Sequence, residues 1–140
     1  MKTPRSHCPQ NLILEVIGDK WSILIIRDLM INGKHYFREF LQSEEKIASN
    51  ILSSRLKSLE KEGLIHKSND PEHKQKIRYL LTQKGIDLFP ILMEMARWSL
   101  KYKEVDPSDA KRAQAILNGG SNEIQSLMQE MQKDHVHNVL

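Results

Sequence analysis

The feature that most constrains the fold is an abrupt change of hydrophobic period at Gly63. Before it, residues 49–62 carry apolar side chains at helical spacing, within an arc of roughly 140°: Ile51, Leu52, Leu56 and Leu59. After it come two extended runs, residues 64–67 and 76–81, joined by a polar loop rich in turn residues. The pattern predicts an amphipathic helix followed directly by a β-hairpin with a charged tip.

Helical periodicity predominates in the rest of the chain, with no internal repeat. Pro9 suits the first turn of a helix that ends near Gly18, and a second helix is predicted from about Lys20 to a C-cap at Asn32-Gly33. A short helix should cover residues 36–41. Together these helices and the hairpin predict a mainly α fold with a small β-hairpin.

The segment after the hairpin is predicted to be helical and interrupted. Thr82 can cap a long helix that Pro90 should kink or break. Pro107 marks a hinge with Ser108 as the next N-cap, and Gly119-Gly120 is a second break. Beyond it an amphipathic stripe must be covered by other apolar surface: Ile124, Leu127, Met128 and Met131. Residues from about 132 onward are expected to fray.

Composition excludes several classes of protein. The chain has 140 residues, 39% hydrophobic and 28% charged, and no uncharged run approaches the roughly 18 residues of a membrane span. No secretory signal is evident, so we expect a cytoplasmic protein that does not contact membranes. A single cysteine rules out an intrachain disulfide framework. No metal, cofactor or catalytic site is predicted, and His135-x-His137 lacks both a helix-face spacing and a third ligand.

Charge is distributed unevenly along the chain. The net charge is +3, but residues 1–102 carry 17 basic and 12 acidic groups, whereas residues 103–140 carry 4 and 6. A mild basic excess is not by itself evidence of a nucleic-acid partner. What matters is whether the basic groups share a surface.

Helices followed by an amphipathic helix and a basic hairpin have the order of a helix-turn-helix with a wing. A B-DNA major groove admits one α-helix, whose outward side chains read base edges, while a wing contacts phosphates. Poor helix formers gather on the outward face of residues 49–62, which is otherwise unexplained. The residues predicted to bind double-stranded DNA are Arg38, Ser49, Asn50, Ser53, Ser54, Lys57, Lys61, His73, Lys74, Lys76 and Arg78.

Two alternatives remain open at this stage. Arg55 lies at the edge of the apolar stripe, so it is either a DNA contact or a structural arginine paired with a carboxylate. The whole fold could instead serve as a winged-helix module that binds protein rather than DNA.

Several motifs in this order resemble the HxlR-type regulators of the MarR-like winged-helix group. The resemblance covers roughly residues 8–101, and its motifs are Cys8-Pro9, Gly18-Asp19-Lys20-Trp21, Phe37-Arg38-Glu39-Phe40-Leu41, the run 51–65, the run 79–85 and Trp98. It implies a homodimeric transcription regulator, expected to be a repressor, on an inverted-repeat operator. It also implies extra dimerisation helices at both ends, with contacts from Leu12, Ile13, Phe89, Leu92, Met93, Ala96 and Trp98.

The chain departs from this family at two places. Ala48 stands where many members have a serine that caps the recognition helix, so the cap is expected to move to Ser49. Residues 106–140 extend beyond the usual end, and we divide the chain into residues 1–105, for DNA binding and dimerisation, and a C-terminal helical extension. The apolar stripe in that extension is expected to pack on the dimer helix or the partner subunit.

Cys8 is a candidate sensor of oxidants or electrophiles. Several members of the family sense oxidants or electrophiles through a cysteine at this place, and a thiol at a helix N-terminus beside Arg5 and His7 suits that chemistry. Sensing would then use an oxidant or small-molecule effector and, with one cysteine per chain, a bond between chains or to a small molecule. The alternative is that Cys8 only packs at the dimer interface.

Overall fold

The computed structural model describes residues 3–137, and its internal contacts divide the chain into two units that meet in sequence between Leu81 and Thr82. The mainly helical fold with one small hairpin is confirmed. The first unit contains the elements α1 Pro9–Ile17, α2 Ser22–Met30, α3 Phe37–Leu41, α4 Ser49–Lys61, β1 Ile65–Asn69 and β2 Ile77–Leu81.

The hairpin is antiparallel, with Ile65 opposite Leu81 at its base and Asn69 opposite Ile77 at its tip. α4 packs on β1, α2 packs on β2, and α3 packs on α4. Side chains from each of these elements are buried in the first unit, including Ile26, Phe40, Leu52, Leu59, Ile65 and Leu80. This shared core fixes α4 and the hairpin in one body.

The carboxylate of Asp19 sets the start of α2. Its Oδ2 accepts hydrogen bonds from the backbone amides of Trp21 and Ser22, both at 2.9 Å, and its Oδ1 accepts one from the Ser22 hydroxyl. α2 therefore begins at Ser22 rather than at the expected Lys20. Gly33 follows the helix with φ +63°, a conformation that glycine adopts without strain, as expected of the break there.

The second unit contains α5 Gln83–Ile86, α6 Phe89–Tyr102, α7 Pro107–Asn118, α8 Gly120–Met131 and a π-helical turn, Gln132–Val136. Pro90 lies in the first turn of α6, so it separates two helices instead of kinking one. Asp106, not Ser108, caps α7, because Pro107 occupies the first helical position and the Asp106 carboxylate accepts a hydrogen bond from the Asp109 amide.

The C-terminal extension is packed within the second unit. α6 contacts α7 and α8, and the π-helical turn contacts α5. Met128 and Met131 of the predicted stripe are buried, as is His135 at 4% exposure. The expectation that the chain frays from residue 132 is wrong as far as residue 137, because the side chain of Gln132 donates a hydrogen bond to that of Gln83 and the turn is packed.

No helix within residues 3–137 is both long and apolar enough to cross a membrane.

Candidate nucleic-acid interface

α4 has two faces of opposite character. Leu52, Leu56 and Leu59 are buried in the first unit. The opposite face carries the polar and basic side chains that the sequence singled out, with Ser53 half-buried and the others exposed: Ser49, Asn50, Ser54, Lys57 and Lys61. The helix thus offers hydroxyl, amide and ammonium groups to solvent along its outer face, which are the groups that contact base edges and phosphates.

The N-terminus of α4 differs from the expectation. Ala48 occupies the N-cap position with extended backbone (φ −70°, ψ 145°), and no side chain caps the helix. The expected shift of the cap to Ser49 does not occur, because Ser49 already has helical geometry as the first residue of α4. Without a side-chain cap, this N-terminus favours anions that approach its amides.

The hairpin places a histidine and two lysines at its tip. His73, Lys74 and Lys76 are exposed in the connection between the strands. Arg78 is only half-exposed, and its Nε lies 3.4 Å from Oγ of Ser68, which is its partner across the two strands. His73, Lys74 and Lys76 are therefore more accessible to a phosphate backbone than Arg78 is.

α3 contributes an exposed Arg38, and a polar network centred on the buried Asp28 lies before the recognition helix. The Asp28 carboxylate, whose side chain is 4% exposed, accepts hydrogen bonds from the guanidinium of Arg27 and the hydroxyl of Ser43. Arg27 also bonds Glu45 at 2.8 Å. The network joins the end of α2 to the connection between α3 and α4, so it fixes the turn that precedes the outward-facing helix.

Arg55 pairs with a carboxylate. Its Nη1 lies 3.7 Å from Oδ1 of Asp19, the carboxylate that caps α2. The sequence left open whether Arg55 contacts DNA or pairs with a carboxylate, and the structure shows the carboxylate partner. Arg55 thereby ties α4 to the connection between α1 and α2.

The hairpin tip contacts the N-terminus of α3, and the sequence did not predict this contact. The Tyr36 hydroxyl donates a hydrogen bond to Oδ1 of Asp70, and Nζ of Lys76 lies 3.9 Å from the centroid of the Tyr36 ring. The Asn69-Asp70-Pro71 sequence signals a turn, but nothing in it indicates a partner 34 positions away. Such long-range polar contacts leave no periodic trace in a single sequence.

Three of the side chains expected to form dimer contacts on α6 are buried within the chain. Phe89, Leu92 and Met93 are exposed by only 0%, 7% and 2%, so the structure places them in the core of the chain, not at a free surface. Ala96 is half-buried. The exposed apolar side chains of α6 instead follow a different helical stripe, of which the sequence identified only Trp98: Ile91, Met95, Trp98 and Tyr102.

α1 is unusual because none of its residues is buried. Leu12 and Leu14 are exposed by 41% and 53%, and Ile13 is half-buried. Cys8 precedes the helix at its N-cap, is exposed, and donates a hydrogen bond from Sγ to Oε1 of Gln10 at 3.1 Å. Within residues 3–137 no group of three or more His, Cys, Asp or Glu side chains is arranged to hold a metal ion.

The chain is similar in sequence to a known protein family and to curated proteins. Residues 16–107 match the HxlR-like helix-turn-helix family. The HTH-type transcriptional regulator YdeP of Bacillus subtilis is 36% identical over 106 residues, which is 75% of this chain and 82% of YdeP.

Solved structures of similar proteins superimpose on this chain. The crystal structure of PA1607 superimposes with a TM-score of 0.66 at 36% identity, covering 74% of this chain and 70% of PA1607. The reduced form of the transcriptional regulator YodB from B. subtilis superimposes with a TM-score of 0.58 at 31% identity, covering 71% and 97% of the two chains. YodB has also been solved after diamide treatment and with quinone bound. The chain belongs to the HxlR-like helix-turn-helix family of DNA-binding transcription regulators, with a MarR-like winged-helix fold.

Proposed function

We propose that the protein is a homodimeric repressor that binds a specific inverted-repeat operator in double-stranded DNA. The observation that carries the proposal is the outer face of α4, which presents Asn50, Ser54 and Lys57 to solvent while its inner face is buried. The basic hairpin tip belongs to the same unit. The outer face of α4 lies outside the buried core, and both features suit DNA.

Recognition of a base sequence would fall to α4. Asn50 has the bidentate geometry that pairs with adenine in the major groove, and Lys57 can reach a guanine edge or a phosphate. The uncapped N-terminus of α4 would face the phosphates beside the groove. His73, Lys74 and Lys76 would add contacts that are independent of sequence, since phosphates carry no base information.

Dimerisation is proposed to use the apolar surfaces that each unit leaves exposed. In α6 these side chains recur at i, i+4, i+7 and i+11, so they form one continuous stripe rather than scattered exposed residues: Ile91, Met95, Trp98 and Tyr102. Trp98 and Tyr102 lie with ring centroids 5.2 Å apart, a large aromatic surface of the kind enriched at interfaces. α1 offers Leu12 and Leu14 in the same way.

A symmetric dimer would read two half-sites in opposite orientation, with centres about one helical turn of DNA apart. Repression would follow from occupying a promoter, and the protein would act in the cytoplasm.

The direct test is a fluorescence-anisotropy titration with duplexes tiled across the DNA upstream of the gene. We expect one duplex to bind at least about a thousandfold more tightly than a shuffled duplex of equal composition, with affinity that falls steeply with salt. Salt-dependent binding without preference for any duplex would contradict sequence-specific recognition. No duplex binding at low salt would instead favour the protein-binding module.

A thiol-reactive effector is a second part of the proposal. Cys8 is exposed at the start of α1, beside the proposed dimer surface, and the similar protein YodB was solved with quinone bound and after diamide treatment. Addition to a quinone would form a bond between Sγ and a ring carbon, with the thiol proton passing to a quinone oxygen. Diamide would instead take one hydrogen from each of two Cys8 thiols as an interchain disulfide forms.

Release of operator DNA by benzoquinone or diamide tests this part. We expect both reagents to release DNA from the native protein and to leave DNA bound to Cys8→Ser, which lacks the nucleophile. Equal release from both proteins would contradict a sensing role for Cys8 while leaving the proposed DNA binding intact.

A further inference from the structure

The wing tip is tied to the helix-turn-helix by one carboxylate. Asp70, 8% exposed, accepts the Tyr36 hydroxyl on Oδ1 and the backbone amides of Glu72 and His73 on Oδ2, at 3.0 and 2.9 Å. These bonds use both carboxylate oxygens at once. The same side chain therefore shapes the tip and attaches it to Tyr36.

Tyr36 is itself held firmly. It is the N-cap of α3, and the Glu39 carboxylate accepts hydrogen bonds from the amides of His35 and Tyr36 at 2.9 and 3.0 Å. The preceding residue bonds β2, because the Tyr79 amide donates to the His35 carbonyl at 2.7 Å. The Tyr36 hydroxyl is thus a fixed point of the helix-turn-helix that can hold the tip of the hairpin.

Lys76 completes the contact. Its ammonium group lies over the Tyr36 ring at 3.9 Å, a cation–π distance, and its backbone carbonyl accepts a hydrogen bond from the Asp70 amide at 2.7 Å. The Asp70 carboxylate also raises the pKa of Tyr36, while the Tyr36 hydroxyl lowers the pKa of Asp70. The contact is therefore that of a neutral phenol donating to an ionised carboxylate at neutral pH.

We propose that Tyr36 and Asp70 are positioning residues for DNA binding, which lock the wing tip to α3 so that its cations and the outer face of α4 meet the duplex in a fixed register. The proposal rests on the proposed DNA-binding function. A preorganised wing loses less conformational freedom on binding, which raises affinity without any new contact to DNA.

Electrostatics makes the proposal unusually testable. Asp70 is a negative charge among the cations of the tip, so repulsion alone predicts that removing its charge strengthens binding to phosphates. If Asp70 positions the tip, removing its charge should instead weaken binding. Glu72 provides the matched control, because it is exposed, lies two residues away and carries the same charge, while only its backbone amide takes part in the contact.

The experiment compares Asp70→Asn, Tyr36→Phe and Glu72→Gln in titrations of the operator duplex. Asn cannot accept on both sides of its amide, and Phe lacks the hydroxyl but keeps the ring under Lys76. We expect Asp70→Asn and Tyr36→Phe each to weaken binding about tenfold and the double variant to be little worse than either, because they remove one shared contact. Glu72→Gln should bind as tightly as the native protein or up to about twofold more tightly.

A readout without DNA separates the two proposals. Amide NMR signals of Glu72 and His73 should shift and lose exchange protection in Asp70→Asn and Tyr36→Phe, while the urea midpoint of the whole chain changes little. Tighter binding by Asp70→Asn, or unchanged tip signals, would overturn the positioning role. If the native protein bound no duplex while the tip signals still changed, the lock would stand as a structural contact and the DNA-binding proposal would fail.

Discussion

Asp19 shows how one carboxylate can serve two elements. Burial raises its pKa, but the hydrogen bonds from the Ser22 hydroxyl and the amides of Trp21 and Ser22 outweigh burial, so the pKa lies below its ordinary value of 3.8. The same carboxylate pairs with Arg55 of α4. Because the pKa is depressed in the folded state, the contribution to stability is present above the ordinary pKa and is lost as the pH falls below it.

The lowered pKa of Asp19 predicts how acid affects the stability of the protein. Asp19→Asn keeps a capping oxygen but removes the titration, so its urea midpoint should fall less than that of the native protein when the pH is lowered from about 6 to about 3. Urea unfolding followed by circular dichroism at several pH values measures this. Parallel curves for the two proteins would show that the Asp19 charge has no such role.

Asp28 is the buried carboxylate on which the turn before α4 depends. Arg27, Asn32 and Ser43 donate to it. Asp28→Ala should lower the free energy of unfolding by about 3 kcal/mol, because the donors that converge on this buried carboxylate would lose their shared acceptor. Asp109→Ala, which removes an exposed carboxylate paired with Arg112, should change it by less than about 0.5 kcal/mol. Similar losses for both variants in urea unfolding would contradict this account.

The sequence correctly predicted which side chains face outward where a local pattern carried the information. The outward residues of α4 follow from helical spacing against Leu52, Leu56 and Leu59. Arg55 stayed ambiguous because the sequence does not show that Asp19 is its neighbour, and the link between Tyr36 and Asp70 was missed for the same reason. Contacts between distant residues depend on tertiary packing, and no periodic pattern in a single sequence identifies them.

At the scale of elements, the change of period at Gly63 correctly predicted α4 and the hairpin. The errors lay at helix ends, where side-chain hydrogen bonds decide the boundary: Asp19 delays α2, and Asp106 starts α7 earlier than expected. The buried and exposed faces of α6 could not be separated from the sequence, since Phe89, Leu92 and Met93 are apolar like the exposed stripe and only packing distinguishes the two sets.

The C-terminal extension gives the prediction at this scale. Met131 is 7% exposed on α8, so Met131→Ala should lower the free energy of unfolding by about 2 kcal/mol through loss of buried apolar surface. Gln129→Ala, on the exposed side of the same helix, should have little effect. Thermal or urea unfolding compares them, and an unchanged stability in Met131→Ala would mean that the extension does not contribute to folding.

For the whole molecule, the exposed stripe of α6 should control assembly. Met95→Glu places a charge in the proposed interface and should weaken dimerisation by about a hundredfold or more. Ala115→Glu adds the same charge to an exposed position of α7 and serves as the control. Sedimentation equilibrium reads the result directly. A dimer unaffected by Met95→Glu, or a monomeric native protein, would contradict the proposed interface.

The central claim is that the outer face of α4 reads sequence while the wing binds phosphates. The most direct measurement is the affinity of Asn50→Ala, Lys74→Ala and Lys111→Ala for operator and shuffled duplexes over a range of salt. Asn50→Ala should lower the ratio of the two affinities about tenfold, and Lys74→Ala should weaken both equally and reduce the salt slope by about one. Lys111→Ala, on α7, should match the native protein. An unchanged affinity ratio in Asn50→Ala, with a reduced ratio in Lys74→Ala, would contradict the account.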